Sequence, residues 1–169
     1  RKHLQGSGVP VEFSKGEWGP GQQEINIRYA QALEMADRHT LYKHIAKEVA
    51  WGHEKCLTFM AKWDAEEAGS SCHVHISLRD IAAAASAFVG AGAELIEGSK
   101  VVCTPLFRHF VGGMLAHARD ITLCLATTVN SYKRFQPDTF APTAIAWSYD
   151  NRTSAFRVVG KGEGLRIEC

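Results

Sequence analysis

The sequence predicts an α+β fold, and three observations carry that prediction. Glu24–Tyr29, "EINIRY", alternates polar and apolar residues as a half-buried strand does. A stretch from about Glu34 to Trp51 repeats apolar residues at helical spacing, and three short extended runs surround a glycine-rich turn at the C-terminal end.

Taken in order, Glu24, Asn26 and Arg28 fall on one face of the first strand and Ile25, Ile27 and Tyr29 on the other, giving that strand an ionic face. The helix that follows carries Leu41, Ile45 and Val49 in one row and Tyr42, Ala46 and Ala50 in a second, with Gly52 placed to end it. Cys56–Trp63 and the run "CHVHISLR" beginning at Cys72 read as strands joined by a polar loop, and so as an antiparallel pair. Asp80 to Lys100, rich in Ala and Gly, has no clear period. A helix from Thr104 to about Leu125 starts at Pro105, a residue suited to the first helical turn. "NSYKRFQPD" is a turn or flap, and extended runs follow near Ala144–Tyr149, Ala155–Val159 and Leu165–Cys169. Nothing punctuates the chain as a linker or repeat, so one α+β unit is expected.

With 169 residues, 46% of them hydrophobic and 22% charged, the chain can bury a core of its own. A net charge of +1 without a dense Lys/Arg run gives no electrostatic basis for binding nucleic acid or an anionic membrane. Five scattered cysteines without a C-x-x-C pair argue against a disulfide framework and against a thiolate zinc site, and suit a reducing cytoplasm. No apolar run approaches the roughly 20 residues that cross a bilayer. The chain starts at Arg1 and stops within the extended run "LRIEC", and it reads as a piece of a longer protein.

Three groups of residues could carry chemistry. Glu17 and Glu24 flank the stiff turn of "EWGPGQQE", where a pair of acids can hold a cation or can simply be solvated. His73 and His75 share one face of "SSCHVHISL" with Ser71 and Ser77, either as ligands or as ordinary strand histidines. Carboxylate and imidazole without thiolate favour Mg²⁺ or Mn²⁺ over structural zinc. Arg134, Arg152, Arg157 and Arg166 lie in or beside extended segments near Glu168, where guanidinium groups can clamp carboxylate or phosphate oxygens, or make surface ion pairs.

In order along the chain, "EWGPGQQEI", "KHIAKEVAW", "TFMAKWD", "GSSCHVHISL", "NSYKRF", "APTAIAW" and "DNRTSAFR…RIEC" closely resemble the catalytic domain of the glutamine synthetase family. The resemblance covers nearly all of residues 1–169 and implies the central part of that domain, without the N-terminal β-grasp domain and the C-terminal part. It implies a curved antiparallel sheet lining the active site, with helices packed outside. It further implies an ATP-dependent ligase acting on glutamate and a small amine or ammonia. By the same resemblance Glu17, Glu24, His73 and Glu168 are metal ligands for Mg²⁺ or Mn²⁺, and His75, Ser77 and Arg157 contact nucleotide. Gly69 and Arg134 contact glutamate, and Arg152 and Arg157 are the catalytic arginines at the transferring phosphate. The longer parent is expected to be a homo-oligomer and the fragment alone inactive. If the four metal ligands form one cluster, mutual repulsion should raise their carboxyl pKa values.

Two departures bear on substrate. Ammonia-using members carry a glutamate in the flap where this chain has Phe140, in "TFAPT", and the pattern is similar to the branch that makes γ-glutamyl amides of larger amines. Ala68 stands where many members have an asparagine that contacts glutamate. Ordinary glutamine synthetase and a non-catalytic structural relative of the fold stay as alternatives. The second is disfavoured because a scaffold has no use for a retained set of acids and arginines.

Overall fold

The computed structural model describes residues 1–169 as two compact units, Arg1–Ser70 and Ser71–Cys169. The sequence gives no sign of this division, which falls within a polar loop.

In the first unit a short helix α1 (Lys2–Gly6) leads into an antiparallel hairpin, β1 (Val11–Gly16) and β2 (Gln23–Ile27), followed by α2 (Ala32–Gly52). Lys15 faces Glu24 across the hairpin and Gly16 faces Gln23, so the Glu17–Gln22 turn follows directly from the register. The alternation expected of β2 is observed: Ile25 and Ile27 pack on a small core of Leu4, Val9 and Val11, leaving Glu24 and Asn26 on the opposite face. Helix α2 forms where its periodicity predicts, yet none of its residues is fully buried. Tyr42 and Ile45 rest on the core, while Leu41 is 46% exposed and Trp51 79%.

The strand expected over Cys56–Trp63 does not form, and neither does its pairing with the histidine run. A strand persists only where a neighbour satisfies its backbone groups. Here the bonds are local, Met60 N–H to Thr58 Oγ1 at 3.1 Å and Ser70 N–H to the Ala61 carbonyl at 2.8 Å. Phe59 instead meets Tyr42 edge-on, with ring centres 5.4 Å apart.

The second unit is built on a four-stranded sheet of β3 (His75–Ile76), β8 (Trp147–Tyr149), β9 (Phe156–Val159) and β10 (Arg166–Glu168), in the spatial order β3-β10-β9-β8. β3 and β9 run antiparallel to β10, as expected of the sheet, and β8 joins the edge in parallel with β9. The glycine-rich turn between β9 and β10 needs glycine at 160, where φ is +81° and a Cβ would stand 2.1 Å from the Gly164 carbonyl oxygen. The ambiguous Asp80–Lys100 region resolves into parts of two small hairpins, β4 (Arg79–Asp80) with β5 (Ala85–Ser86) and β6 (Glu94–Leu95) with β7 (Val102–Cys103). The helix expected from Thr104 is two, α3 (Pro105–Ala116) and α4 (Ala118–Leu125), because His117 leaves helical geometry at φ −103°, ψ 8°. A single turn, α5 (Val129–Tyr132), follows.

Cross-strand register gives the sheet two chemically distinct faces. Ile76, Ile167, Val158 and Tyr149 align in one row. Ile167 and Val158 are fully buried against Phe88, Phe107 and Val111, so α3 covers this face. Removing Ile167 from water contributes roughly 2 kcal/mol. The neighbouring row, His75, Glu168, Arg157 and Ser148, points the other way.

Candidate active site

In the first unit the candidate site is the turn between β1 and β2. Lys15 Nζ lies 2.6 Å from Glu17 Oε1 and 3.5 Å from Glu24 Oε2, so the two acids share a cation. Asn26, two residues along the same face of β2, donates to Glu24 Oε1 at 2.6 Å and orients that carboxylate. The hydrogen bond from Lys15, then one shared with Glu24, holds the Glu17 carboxyl below the usual carboxylate range. Gly69 is half-buried, and its carbonyl accepts from Gln22 Nε2 at 3.1 Å.

In the second unit Glu168 is the centre. It is buried, and it receives Arg157 Nη2 at 2.6 Å, His73 Nδ1 at 3.0 Å and His75 Nε2 at 3.5 Å. Burial pushes the Glu168 carboxyl up, but hydrogen bonds from His73 and Arg157, with their charges, outweigh it and bring the group down to about 2. The acid patch with raised carboxyl pKa values expected from the sequence is thus corrected. Each acid for which a shift is resolved has a cation or hydrogen-bond donor against it, and both shifts run downward.

Arg166 Nε donates to His75 Nδ1 at 3.1 Å, which leaves the proton of the neutral ring on Nε2, facing Glu168. Burial, above all, keeps the His75 imidazole neutral to lower pH than a free histidine. Arg157 Nε is buried without a hydrogen-bond partner. The pairing with Glu168 inside the sheet gives Arg157 a structural role beside the catalytic one that the resemblance implies.

The remaining residues lie on loops. Ser77 is exposed just after β3. Arg134 follows α5, and burial lowers its guanidinium pKa. Arg152 is exposed in a turn where Asn151 Oδ1 accepts from the Thr153 N–H and hydroxyl at 3.0 and 2.9 Å. Phe140 is 76% exposed. Each unit thus holds two of the four expected metal ligands, and no three His, Cys, Asp or Glu side chains are arranged to hold an ion.

Residues 1–169 match the glutamine synthetase catalytic domain along their whole length. The chain belongs to the glutamine synthetase family. Among its relatives, γ-glutamylethanolamide synthetase GlnA4 of Streptomyces coelicolor is 46% identical over 168 residues, 99% of this chain and 34% of the relative. Glutamate–isopropylamine ligase of a Pseudomonas species is 38% identical over 99% of this chain and 35% of its own length. Glutamine synthetase of Mycolicibacterium smegmatis is 39% identical, covering 92% and 33%. The solved structure of a GmaS/ADP complex superposes with a TM-score of 0.83 at 34% identity, over 98% of this chain and 37% of that one. The chain spans about a third of the length of the curated relatives it matches.

The donor chemistry in this glutamine synthetase domain fits a divalent ion. Glu17 and Glu24 already hold one cation, the Lys15 ammonium, between them. A neutral His73 donating through Nδ1 to Glu168 keeps its Nε2 lone pair free, the form in which imidazole binds metal. Sequence reasoning gave no supporting role to three residues. Lys15 and Asn26 were legible from cross-strand and i,i+2 positions beside the acids, whereas Arg166 stands among the candidate arginines above. Gln22 carried no such signal, because its partners lie 47 and 48 residues away.

Proposed function

We propose that the full-length protein is an ATP-dependent ligase that joins the γ-carboxylate of glutamate to an amine through γ-glutamyl phosphate. The observation that carries this reading is the row in which Arg157 and two histidines converge on buried Glu168. Phosphoryl transfer to a carboxylate needs fixed positive charge and orientation more than a protein nucleophile.

In the proposed reaction a glutamate γ-carboxylate oxygen attacks the terminal phosphorus of ATP and ADP leaves. The amine nitrogen then displaces phosphate from the acyl carbon, losing a proton as the amide forms. Arg157 and the exposed Arg152 neutralise the transferring and leaving oxygens. Arg134 and the Gly69 backbone hold glutamate, and His75 and Ser77 meet the nucleotide. Glu17, Glu24, His73 and Glu168 would hold Mg²⁺ or Mn²⁺, which when bound supplies charge neutralisation on the phosphates. The parent would act as a homo-oligomer in a reducing cytoplasm, an environment that suits five scattered cysteines without a C-x-x-C pair.

An amine larger than ammonia is favoured by Phe140, an apolar side chain with 76% of its surface exposed on the flap. Such a ring cannot take a proton from ammonium and lacks the negative charge that would favour a small cation, but it can cover an alkyl chain. The test is phosphate release by the full-length protein with ATP, glutamate and a panel of ammonium, ethanolamine, short alkylamines and polyamines. Turnover with at least one amine ten- to a few-hundred-fold above ammonium is expected. Preference for ammonium over every amine restores ordinary glutamine synthetase, and no glutamate-dependent phosphate release removes the ligase reading.

A further inference from the structure

We propose that Gln22 is a positioning residue that locks the Gly69–Ser70 segment onto the acid-bearing β1–β2 turn, so that the Gly69 part of the glutamate subsite and the Glu17/Glu24 pair move as one piece. The glutamate part of this inference rests on the ligase reading above. All the atoms involved belong to the first unit.

The Gln22 amide has donors and an acceptor, and both kinds are engaged. Nε2 donates to the Gly69 carbonyl at 3.1 Å and to Ser70 Oγ at 3.0 Å, while Oε1 accepts from Gly19 N–H at 3.0 Å. Its backbone closes the same turn, with Gln22 N–H to the Gly19 carbonyl and Glu17 N–H to the Gln22 carbonyl, each at 3.0 Å. One side chain therefore joins a turn that begins at one candidate metal ligand and leads into the strand carrying another to a segment nearly fifty residues on. Packing at Gly19 points the same way: this residue is buried, and a Cβ there would stand 3.1 Å from Gln22 Oε1 and 3.4 Å from the Ala68 Cβ. Residues 68–70 have no strand or helix of their own, so side-chain bonds of this kind hold them in place. A carbonyl oxygen has two lone pairs, and using one fixes the direction in which the other is offered.

Gln22→Met keeps size and neutrality while removing every amide bond. In the full-length protein it should raise KM for glutamate about tenfold or more and leave KM for ATP within about twofold, a split that general destabilisation does not produce. Ser70→Ala removes one acceptor and should shift glutamate KM the same way by a smaller factor, which covers the case in which Gln22→Met fails to fold. Hydrogen exchange of the Ser70 amide, bonded to the Ala61 carbonyl at 2.8 Å, should speed up in both variants. Unchanged glutamate KM in an active variant, or exchange at the wild-type rate, overturns the inference. If the wild-type protein releases no phosphate with glutamate, the ligase reading falls. Exchange then decides alone: faster exchange upholds the lock and wild-type exchange removes it.

Discussion

Arg157 donates to Glu168 at 2.6 Å across adjacent strands, and the same carboxylate meets His73 at 3.0 Å through its other oxygen. The contact joins β9 to β10 on the face opposite the apolar core, so one ion pair belongs to both the sheet and the candidate site. Arg157→Met strands a buried carboxylate and should cost about 2 to 4 kcal/mol of stability, whereas Arg157→Lys keeps a charge and should cost less. Denaturant midpoints check this; equal midpoints for wild type and Arg157→Met would show the pair to be worthless to the fold.

Acid should weaken the protein through the same carboxyl. Glu168 ionises at about 2 when folded and at 4.5 as a free group, so the unfolded chain takes up the proton first as pH falls. Its contribution is fully present above pH 4.5 and is lost between 4.5 and about 2. Unfolding measured across that range should show a steeper loss in wild type than in Glu168→Gln, and parallel curves would contradict the assignment.

The His75 imidazole, titrated by NMR in chelator-treated protein, should change charge below the ordinary 6.5. Burial is the main cause, the Arg166 charge lowers it further and Glu168 opposes both. Arg166→Gln should therefore move the midpoint up, and Glu168→Gln should move it down. Shifts of the opposite sign would mean that His75 faces other partners.

Lys15 occupies the carboxylates proposed to hold a divalent ion. Lys15→Gln removes the competing ammonium and leaves the acids to repel each other, both of which favour Mn²⁺. Titration of free Mn²⁺ by EPR should show binding several-fold tighter than in wild type. Weaker binding would mean that Lys15 helps to build the site.

Phe140→Glu in the full-length protein should move the ratio of phosphate release toward ammonium and away from the best amine, by about ten-fold or more. An unchanged ratio would place amine selection elsewhere. Arg152→Lys should keep the fold, since the side chain is exposed, and lose most of the ATP-dependent rate because a point charge replaces a planar fork.

Local pattern by itself determined much of this protein. Alternation placed β2 and put Glu24 and Asn26 on one face, helical spacing placed α2, and the proline of Thr104–Pro105 started α3. The same two-residue period put His73 and His75 on a common side, where both reach Glu168. These features are legible because they depend on neighbours a few residues apart. Tertiary structure alone decided what depends on distant partners. Cys56–Trp63 has strand-like composition but no adjoining edge to complete its hydrogen bonds, so it stays irregular around Phe59 and Tyr42. Whether the acids would repel or be neutralised depended on Lys15, Arg157 and His73 arriving against them: at Glu168 pairing won because an unpaired buried carboxylate is costly, and at the partly exposed Glu17 and Glu24 the Lys15 ammonium offsets the repulsion between two like charges. Gln22 acquires its role only when residues 47 and 48 positions away fold back onto its amide, a contact that no local period encodes.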